Sequence, residues 1–434
     1  MSSRPSYRNP WAWVPSLYFA EGIPYVIVMT ASVILYKRMG ISNVDIALYT
    51  SWLYLPWVIK PLWSPIVDIL RTKRYWIVVM QLIVGASLSG VAFMIPVSNF
   101  FQYTLAFFWL MAFSSATHDI AADGFYMLGL NEAQQSFFVG IRNTTYRIAM
   151  ITGQGLLVML AGYFEGHPLV PTDHPIAAAW SVTMFLLSGL FLALFLYHRF
   201  ILPYPVVDAP AENVRSTDVF REFVQTFKAF FFKEHIGIAL TFLLVFRLGE
   251  AQLVKLVQPF MLDARSVGGL GMTTTEVGLV YGNVGVIALT LGGLLGGFVA
   301  SKKGLKYWLI WMLIAINLPD VVYVYLSAVQ PTGLWIVNVC VGIEQFGYGF
   351  GYTAYVLYMI YFSQGRFQTA HYALCTGFMA LGMMLPGMAS GWIQEQLGYH
   401  MFFWWVLLAT IPGFLVARYL PVNPEFGKSK ELQS

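Results

Sequence analysis

Pro65-Ile66-Val67-Asp68-Ile69-Leu70-Arg71-Thr72-Lys73-Arg74-Tyr75-Trp76 ends one apolar segment on a basic turn and opens the next with a Tyr-Trp pair. Gly297-Phe298-Val299-Ala300-Ser301-Lys302-Lys303-Gly304-Leu305-Lys306-Tyr307-Trp308 repeats that design in the other half of the chain. Superposing the two Tyr-Trp pairs sets Arg71 against Lys303 and Arg74 against Lys306, while the acid Asp68 has only Ala300 opposite it. A helix, basic turn and helix repeated in the same sense along one chain imply two parallel halves.

The segments flanking these turns are hydrophobic enough to fix the class. Of 434 residues, 58% are hydrophobic and only 11% charged, against about 25% charged in an ordinary soluble domain. The apolar runs are about twenty residues or longer, the length of membrane-spanning helices and twice that of barrel strands. Aromatic residues make up 17% of the chain, which suits interfacial belts. Twelve spans are expected. The first six run from Trp11 to Tyr36, Asp45 to Val67, Tyr75 to Ile95, Tyr103 to Leu130, Phe137 to Phe164 and Ile176 to Arg199. The second six run from Ile236 to Leu262, Thr275 to Ala300, Tyr307 to Ser327, Leu334 to Phe362, His371 to Gln394 and Phe402 to Leu420.

The expected fold class is therefore all-α integral membrane: an N-terminal six-helix bundle over 1–200, a linker over 201–235, and a C-terminal six-helix bundle over 236–434. The linker stretch from Thr217 to Phe232 alternates Phe with charge and suits an amphipathic helix on the membrane surface. With both termini cytoplasmic, seventeen loop Lys and Arg residues fall on that side, against only Lys37, Arg38 and Arg265 on the other. That bias sets the orientation. The first apolar stretch is long and followed by others, so it reads as helix one and not as a cleaved signal.

Span four carries Thr117-His118-Asp119-Ile120-Ala121-Ala122-Asp123-Gly124, with two carboxylates at i and i+4 on one helical face beside His118. A charge at membrane depth costs about 2.5–3.5 kcal/mol on insertion scales and usually faces protein or water, marking a solute or proton path. The plainer reading is a polar patch that only joins helices. Lys60 in span two is the expected counter-ion of Asp119 or Asp123. In span five Arg147 lies deep enough to approach the same acids, whereas Arg142 reads equally as an interfacial residue with its head in water. Arg247 and Glu250 in span seven stand at i and i+3, near enough to pair on one face. That pair is either permanent or open to competition from a solute or proton. Lys255 is a second cation of this half. Glu344 in span ten precedes the small residues Gly347, Gly349 and Gly351, a stripe that permits close helix approach. Glu21 in span one adjoins Gly22 and Pro24, a helix break.

Asp123 and Glu344 are the first candidates for carrying a proton, with Asp119 and Glu21 beside them. Lys60, His118, Arg147, Arg247, Glu250, Tyr281 and Tyr352 are expected to bind the solute, the tyrosines by stacking on sugar rings; a hydrogen-bonded structural role for His118 is the even alternative. Asp320, after Pro319, reads as structural. No phosphate loop, nucleotide motif, metal-ligand cluster or soluble catalytic domain is visible, so no cofactor, metal or catalytic residue is expected, and no basic run suggests nucleic acid. Cys340 and Cys375 lie within spans and fit neither a disulfide framework nor zinc. An intramembrane hydrolase using Asp119 and Asp123 is the competing class. It is disfavoured because acids on adjacent turns point the same way and do not face each other across a substrate.

A six-plus-six chain with a parallel repeat and a basic turn between its second and third helices resembles the major facilitator superfamily, in which solutes bind between the halves. That resemblance implies a gate at Asp68, Arg71 and Arg74, where an acid, arginines and a helix end hold one conformation closed. Ile59-Lys60-Pro61-Leu62-Trp63-Ser64-Pro65-Ile66-Val67-Asp68 and Ser114-Ser115-Ala116-Thr117-His118-Asp119-Ile120-Ala121-Ala122-Asp123 look like the AmpG muropeptide permeases, relatives of acetyl-CoA transporters and some siderophore permeases. Further similar stretches are Ala20-Glu21-Gly22-Ile23-Pro24, Tyr146-Arg147, Arg247-Leu248-Gly249-Glu250, Glu344 through Tyr355 and Ala373 through Gly398. The resemblance implies proton-coupled import of a wall-derived amino sugar or anhydro-muropeptide across the bacterial cytoplasmic membrane, by a monomer in contact with lipid. A siderophore, an acetyl-CoA-like ligand or another oligosaccharide is the alternative cargo. Two departures bear on the cargo. The family continues the fourth-span motif as Asp-Ala-Trp-Lys, where this chain has Asp123-Gly124-Phe125-Tyr126, and it has a lysine after an asparagine in span eight, which Tyr281-Gly282-Asn283 lacks. Two missing cations argue for a less anionic solute. His118 stands where glutamine is more usual.

Overall fold

The computed structural model describes residues 8–205, 208 and 216–428, without the side chains of 68, 69, 132, 136, 216–220 and 222. Among the described residues every regular element is a helix. Seven segments are long and apolar enough to cross a membrane. Two of them, Thr274–Val329 and Gln368–Ala417, hold two spans each, because Gly304 at φ 78° and Gly398 at φ 71° interrupt the helical backbone. Only glycine takes that left-handed conformation without strain. The remaining spans are 43–70, Phe100–Gly129 and Leu334–Ser363, which carry Lys60, the span-four acids and Glu344. The twelve expected spans are accounted for, and the protein is a multi-pass membrane protein.

The helices gather into two compact units, one of Met1–Met39 with Ile59–Val219 and the other of Gly40–Val58 with Phe220–Ser434. The division departs from sequence order, because the first part of span two packs with the second half of the chain. Span two is jointed: Asn43–Trp52 ends at Leu53 and Tyr54, and Leu55–Leu70 begins with Pro56 near its start, where proline costs no hydrogen bond. Asn43 donates to Gln394 Oε1 and to the Tyr399 hydroxyl, both at 2.8 Å. A Cβ on Gly387 would come within 2.7 Å of Ser51 Oγ, and one on Gly391 would strike the Asn43 carbonyl.

In the second unit the glycines of Leu334–Ser363 face two neighbours in turn. A Cβ on Gly349 would run into the Leu289 carbonyl, and one on Gly351 into that of Met312. Small residues here let backbones touch, which is how helices associate without a hydrophobic drive between them. The linker stretch does form a helix, Ser216–Phe231. Its face is not left to the membrane surface alone, for Phe230 is fully buried in the second unit's core against Phe362, Phe378 and His371. Lys233, just beyond, donates to the carbonyls of Phe362 and Gln364 and so caps the end of Leu334–Ser363, a favourable place for a cation.

Candidate functional site

Among the described residues, each unit holds one trio of acids. In the first, Glu21, Asp119 and Asp123 offer oxygens that all lie within 4.8 Å of one another. The i, i+4 spacing of span four brings both aspartates to one face, and span one supplies Glu21 from a helix that carries Pro24 and then loosens into the π-helical stretch Ile27–Ala31. π-turns of this kind frequently mark functional positions. Lys60 pairs with Asp119, and Arg142 pairs with Asp123 at 2.9 Å. The Tyr18 hydroxyl donates to Asp123 at 3.3 Å, and its ring lies 4.4 Å beneath the Arg142 guanidinium. Glu21 is buried, its carboxylate beside those of Asp119 and Asp123. The four paired side chains keep exposures between 21% and 39%.

The sequence-based set needs two corrections here. Arg142, not Arg147, meets the acids; Arg147 contacts Met150 Sδ at 3.3 Å, and no ion pair to it is formed among the described residues. One and a half helical turns separate the two arginines, so depth alone does not decide which faces the acids. His118 is 3% exposed and lies among other partners, its Nε2 3.0 Å from Gln81. Gln81 bonds His198 at 2.8 Å, and His198 bonds Ser16 at 2.9 Å. Adjacent residues on a helix point about 100° apart, which turns His118 inward while Asp119 stays with Lys60. That buried, hydrogen-bonded setting is the one the structural alternative for His118 describes.

The second trio is Glu250, Asp320 and Glu344, again with oxygens within 4.8 Å of one another. Each residue is 1% exposed. Tyr323 donates to Glu344 at 2.9 Å and Gln345 at 3.0 Å. Asp320, taken as structural from its sequence context, belongs to this trio. Arg247 and Glu250 do not form the expected pair. Span seven is broken between Ile236–Val245 and Leu248–Leu262, leaving Arg247 outside both helices, so the i, i+3 rule does not apply to it. The guanidinium instead bonds the Tyr348 hydroxyl and lies over the rings of Tyr348 and Tyr352, 5.2 and 5.3 Å from their centroids. The Tyr352 hydroxyl meets Met379 Sδ at 3.1 Å. Tyr281 is buried in the π-helical stretch Gly278–Gly285. Lys255, 1% exposed, donates to Thr50 Oγ1 at 3.0 Å and sits 5.0 Å from the Tyr54 ring centroid.

At the basic turn of the first unit, the Asp68 side chain lies outside the described residues. Arg71 lies over Tyr75 at 5.6 Å. Arg74 reaches the carbonyls of Arg199 and Leu202 and stacks on Tyr204 at 3.8 Å. A cation at the carboxyl end of Pro175–Ile201 complements its dipole. Asp208 accepts from the backbone N–H groups of Lys73 and Arg74 at 2.7 and 3.0 Å, the mirror interaction at a helix start.

The Major Facilitator Superfamily profile matches residues 16–365. The anhydromuropeptide permease of Escherichia coli K12 is 24% identical over 424 residues, 94% of this chain and 81% of the relative. An uncharacterised protein of Haemophilus influenzae is 25% identical over 394 residues, 87% of each chain. The crystal structure of a D-xylose–proton symporter superposes with a TM-score of 0.71 at 13% identity, covering 98% of this chain and all of the other. A superfamily of secondary transporters leaves the intramembrane-hydrolase reading without support. With its span-two and span-four motifs and its full-length likeness to permeases of that type, the chain belongs to the Major Facilitator Superfamily and is an AmpG-like permease within it.

Proposed function

We propose that this secondary transporter imports a wall-derived amino sugar or anhydro-muropeptide across the bacterial cytoplasmic membrane as a monomer, with both termini cytoplasmic, and that a proton accompanies the solute. The observation carrying the proposal is the clustering of Glu21 with Asp119 and Asp123, carboxylate oxygens within 4.8 Å of one another, beside the Lys60 and Arg142 ion pairs. A solute that competes for Lys60 or Arg142 frees a carboxylate, and a freed carboxylate in a poorly hydrated place takes up a proton. Only such differential affinity between states shifts a transporter's equilibrium. Asp123, Asp119 and Glu21 carry the coupling in this reading. Glu344 is set aside from it, because two donors satisfy its ionised form. Arg247, Tyr281 and Tyr352 contribute solute contacts from the second unit, and Arg71 and Arg74 with Asp68 form the cytoplasmic gate. The name of the Escherichia coli relative supports the cargo class, and the two missing family lysines favour its less anionic members.

The test is uptake of radiolabelled anhydro-disaccharide and its peptide-bearing forms by Escherichia coli cells that lack their own permease. Accumulation that collapses with an uncoupler, and that Asp123→Asn removes without loss of membrane insertion, is the expected result. Uncoupler-resistant accumulation overturns the coupling, and absence of uptake for every wall fragment overturns the cargo.

A further inference from the structure

We propose that Glu250, Asp320 and Glu344 form a binding site for an alkali cation of sodium's size. Three separate elements deliver these carboxylates: Leu248–Leu262, the tight turn Leu318–Asp320 that follows the interruption of span nine, and Leu334–Ser363. Buried polar atoms are normally hydrogen-bonded. Here all four carboxylate oxygens of Glu250 and Asp320 are buried without a hydrogen-bond partner, while Tyr323 and Gln345 orient Glu344 toward them. Among the described residues no lysine or arginine forms an ion pair with any of the three. Arg247, the nearest cation along the chain, bonds the Tyr348 hydroxyl and lies over the Tyr352 ring, near enough to Glu250 to act on it through space but not paired with it. A site so rich in negative charge, and so closed, is completed by a positive occupant.

The orphaned oxygens decide between a proton and a metal ion. A protonated carboxyl donates its O–H to an acceptor, and none of the four oxygens of Glu250 and Asp320 has a hydrogen-bond partner. Oxygens that all lie within 4.8 Å of one another can be touched together by one cation held at about 2.3–2.6 Å. An all-oxygen donor set suits a hard cation, and magnesium is excluded because it keeps its own waters. The remaining choice follows from desolvation. Each ligand is 1% exposed, so the ion sheds its hydration shell completely, and that cost rises with the square of the charge. A monovalent ion is the one such a site can strip. The first trio needs no such ion, since Lys60 and Arg142 already stand beside it.

The proposal goes beyond the solute reading and is tested without solute or gradient. Full-length protein in detergent is titrated with sodium chloride against choline chloride at constant ionic strength. Thermal unfolding is followed by tryptophan fluorescence, and bound radiosodium is counted directly. A saturable rise in Tm of about 3 °C or more, with one sodium bound per chain, is expected. Asp320→Asn and Glu250→Gln should each weaken sodium binding by about tenfold or more. A wild-type protein with no sodium response beyond choline, a response to calcium in place of sodium, or undiminished binding in both variants overturns the site. The wild-type isotherm decides the matter even where a variant fails to fold.

Discussion

The first unit surrounds its three acids with Lys60, Arg142 and the Tyr18 hydroxyl, and leaves the paired groups partly exposed. The second unit seals its three acids at 1% exposure and turns its nearest arginine toward tyrosines. In both trios the ligand oxygens lie within 4.8 Å of one another. What differs is where the compensating charge comes from. A trio balanced by its own chain can trade partners with a solute at the cost of one ion pair, and a sealed trio without such partners depends on something brought from outside.

Breaking that contrast at its strongest point means removing one member of an internal pair. Lys60→Met strands Asp119, and loss of one partner from a pair of this kind should cost about 2–3 kcal/mol, less than the full burial limit because both groups keep about a fifth of their exposure. Uptake should vanish as well. Adding Asp119→Leu should return at least half of the lost stability, and a double-mutant cycle by thermal unfolding measures that coupling. Next is a difference of sign. Asp119→Asn should destabilise by leaving Lys60 unpaired, whereas Asp320→Asn in sodium-free buffer should stabilise by about 1–2 kcal/mol, because it removes a buried charge that has no partner. Equal and unfavourable effects of the two substitutions would erase the distinction between the trios. Arg142→Lys keeps the charge and gives up the planar stacking on Tyr18, so a smaller loss of about 1 kcal/mol is expected, with uptake weakened and not abolished. Smallest is Tyr348→Phe, which removes only the hydroxyl bonded to Arg247 and should cost about 0.5–1.5 kcal/mol with sodium binding unchanged.

Much of this was legible in the residues. Long apolar runs set the spans, and the repeated basic turns set the two halves. The i, i+4 aspartates and the lone lysine at depth met as electrostatics requires. Three things were hidden, each for a physical reason. The break before Leu248 has no proline at the joint, and its nearest signal is Gly249, where a Cβ would come within 2.7 Å of the Val406 carbonyl. Missing that break made Arg247 and Glu250 look like a pair. Asp320 reads as structural from its sequence context, although an acid after Pro319 in an apolar run is itself a sign of a helix interruption with charge at it. The choice between Arg142 and Arg147 turns on which face of span five meets spans one and four, and Arg142-Asn143-Thr144-Thr145-Tyr146-Arg147, polar in every direction, does not reveal that.

The break in span seven also has a mechanical consequence. Leu248–Leu262 is one uninterrupted rod carrying Glu250 near one end and Lys255 at its middle. Whatever draws Glu250 toward Asp320 and Glu344 therefore tilts the same lever whose Lys255 grips Thr50 in the first part of span two. Filling the acid trio and loosening that grip are two readings of a single hinge.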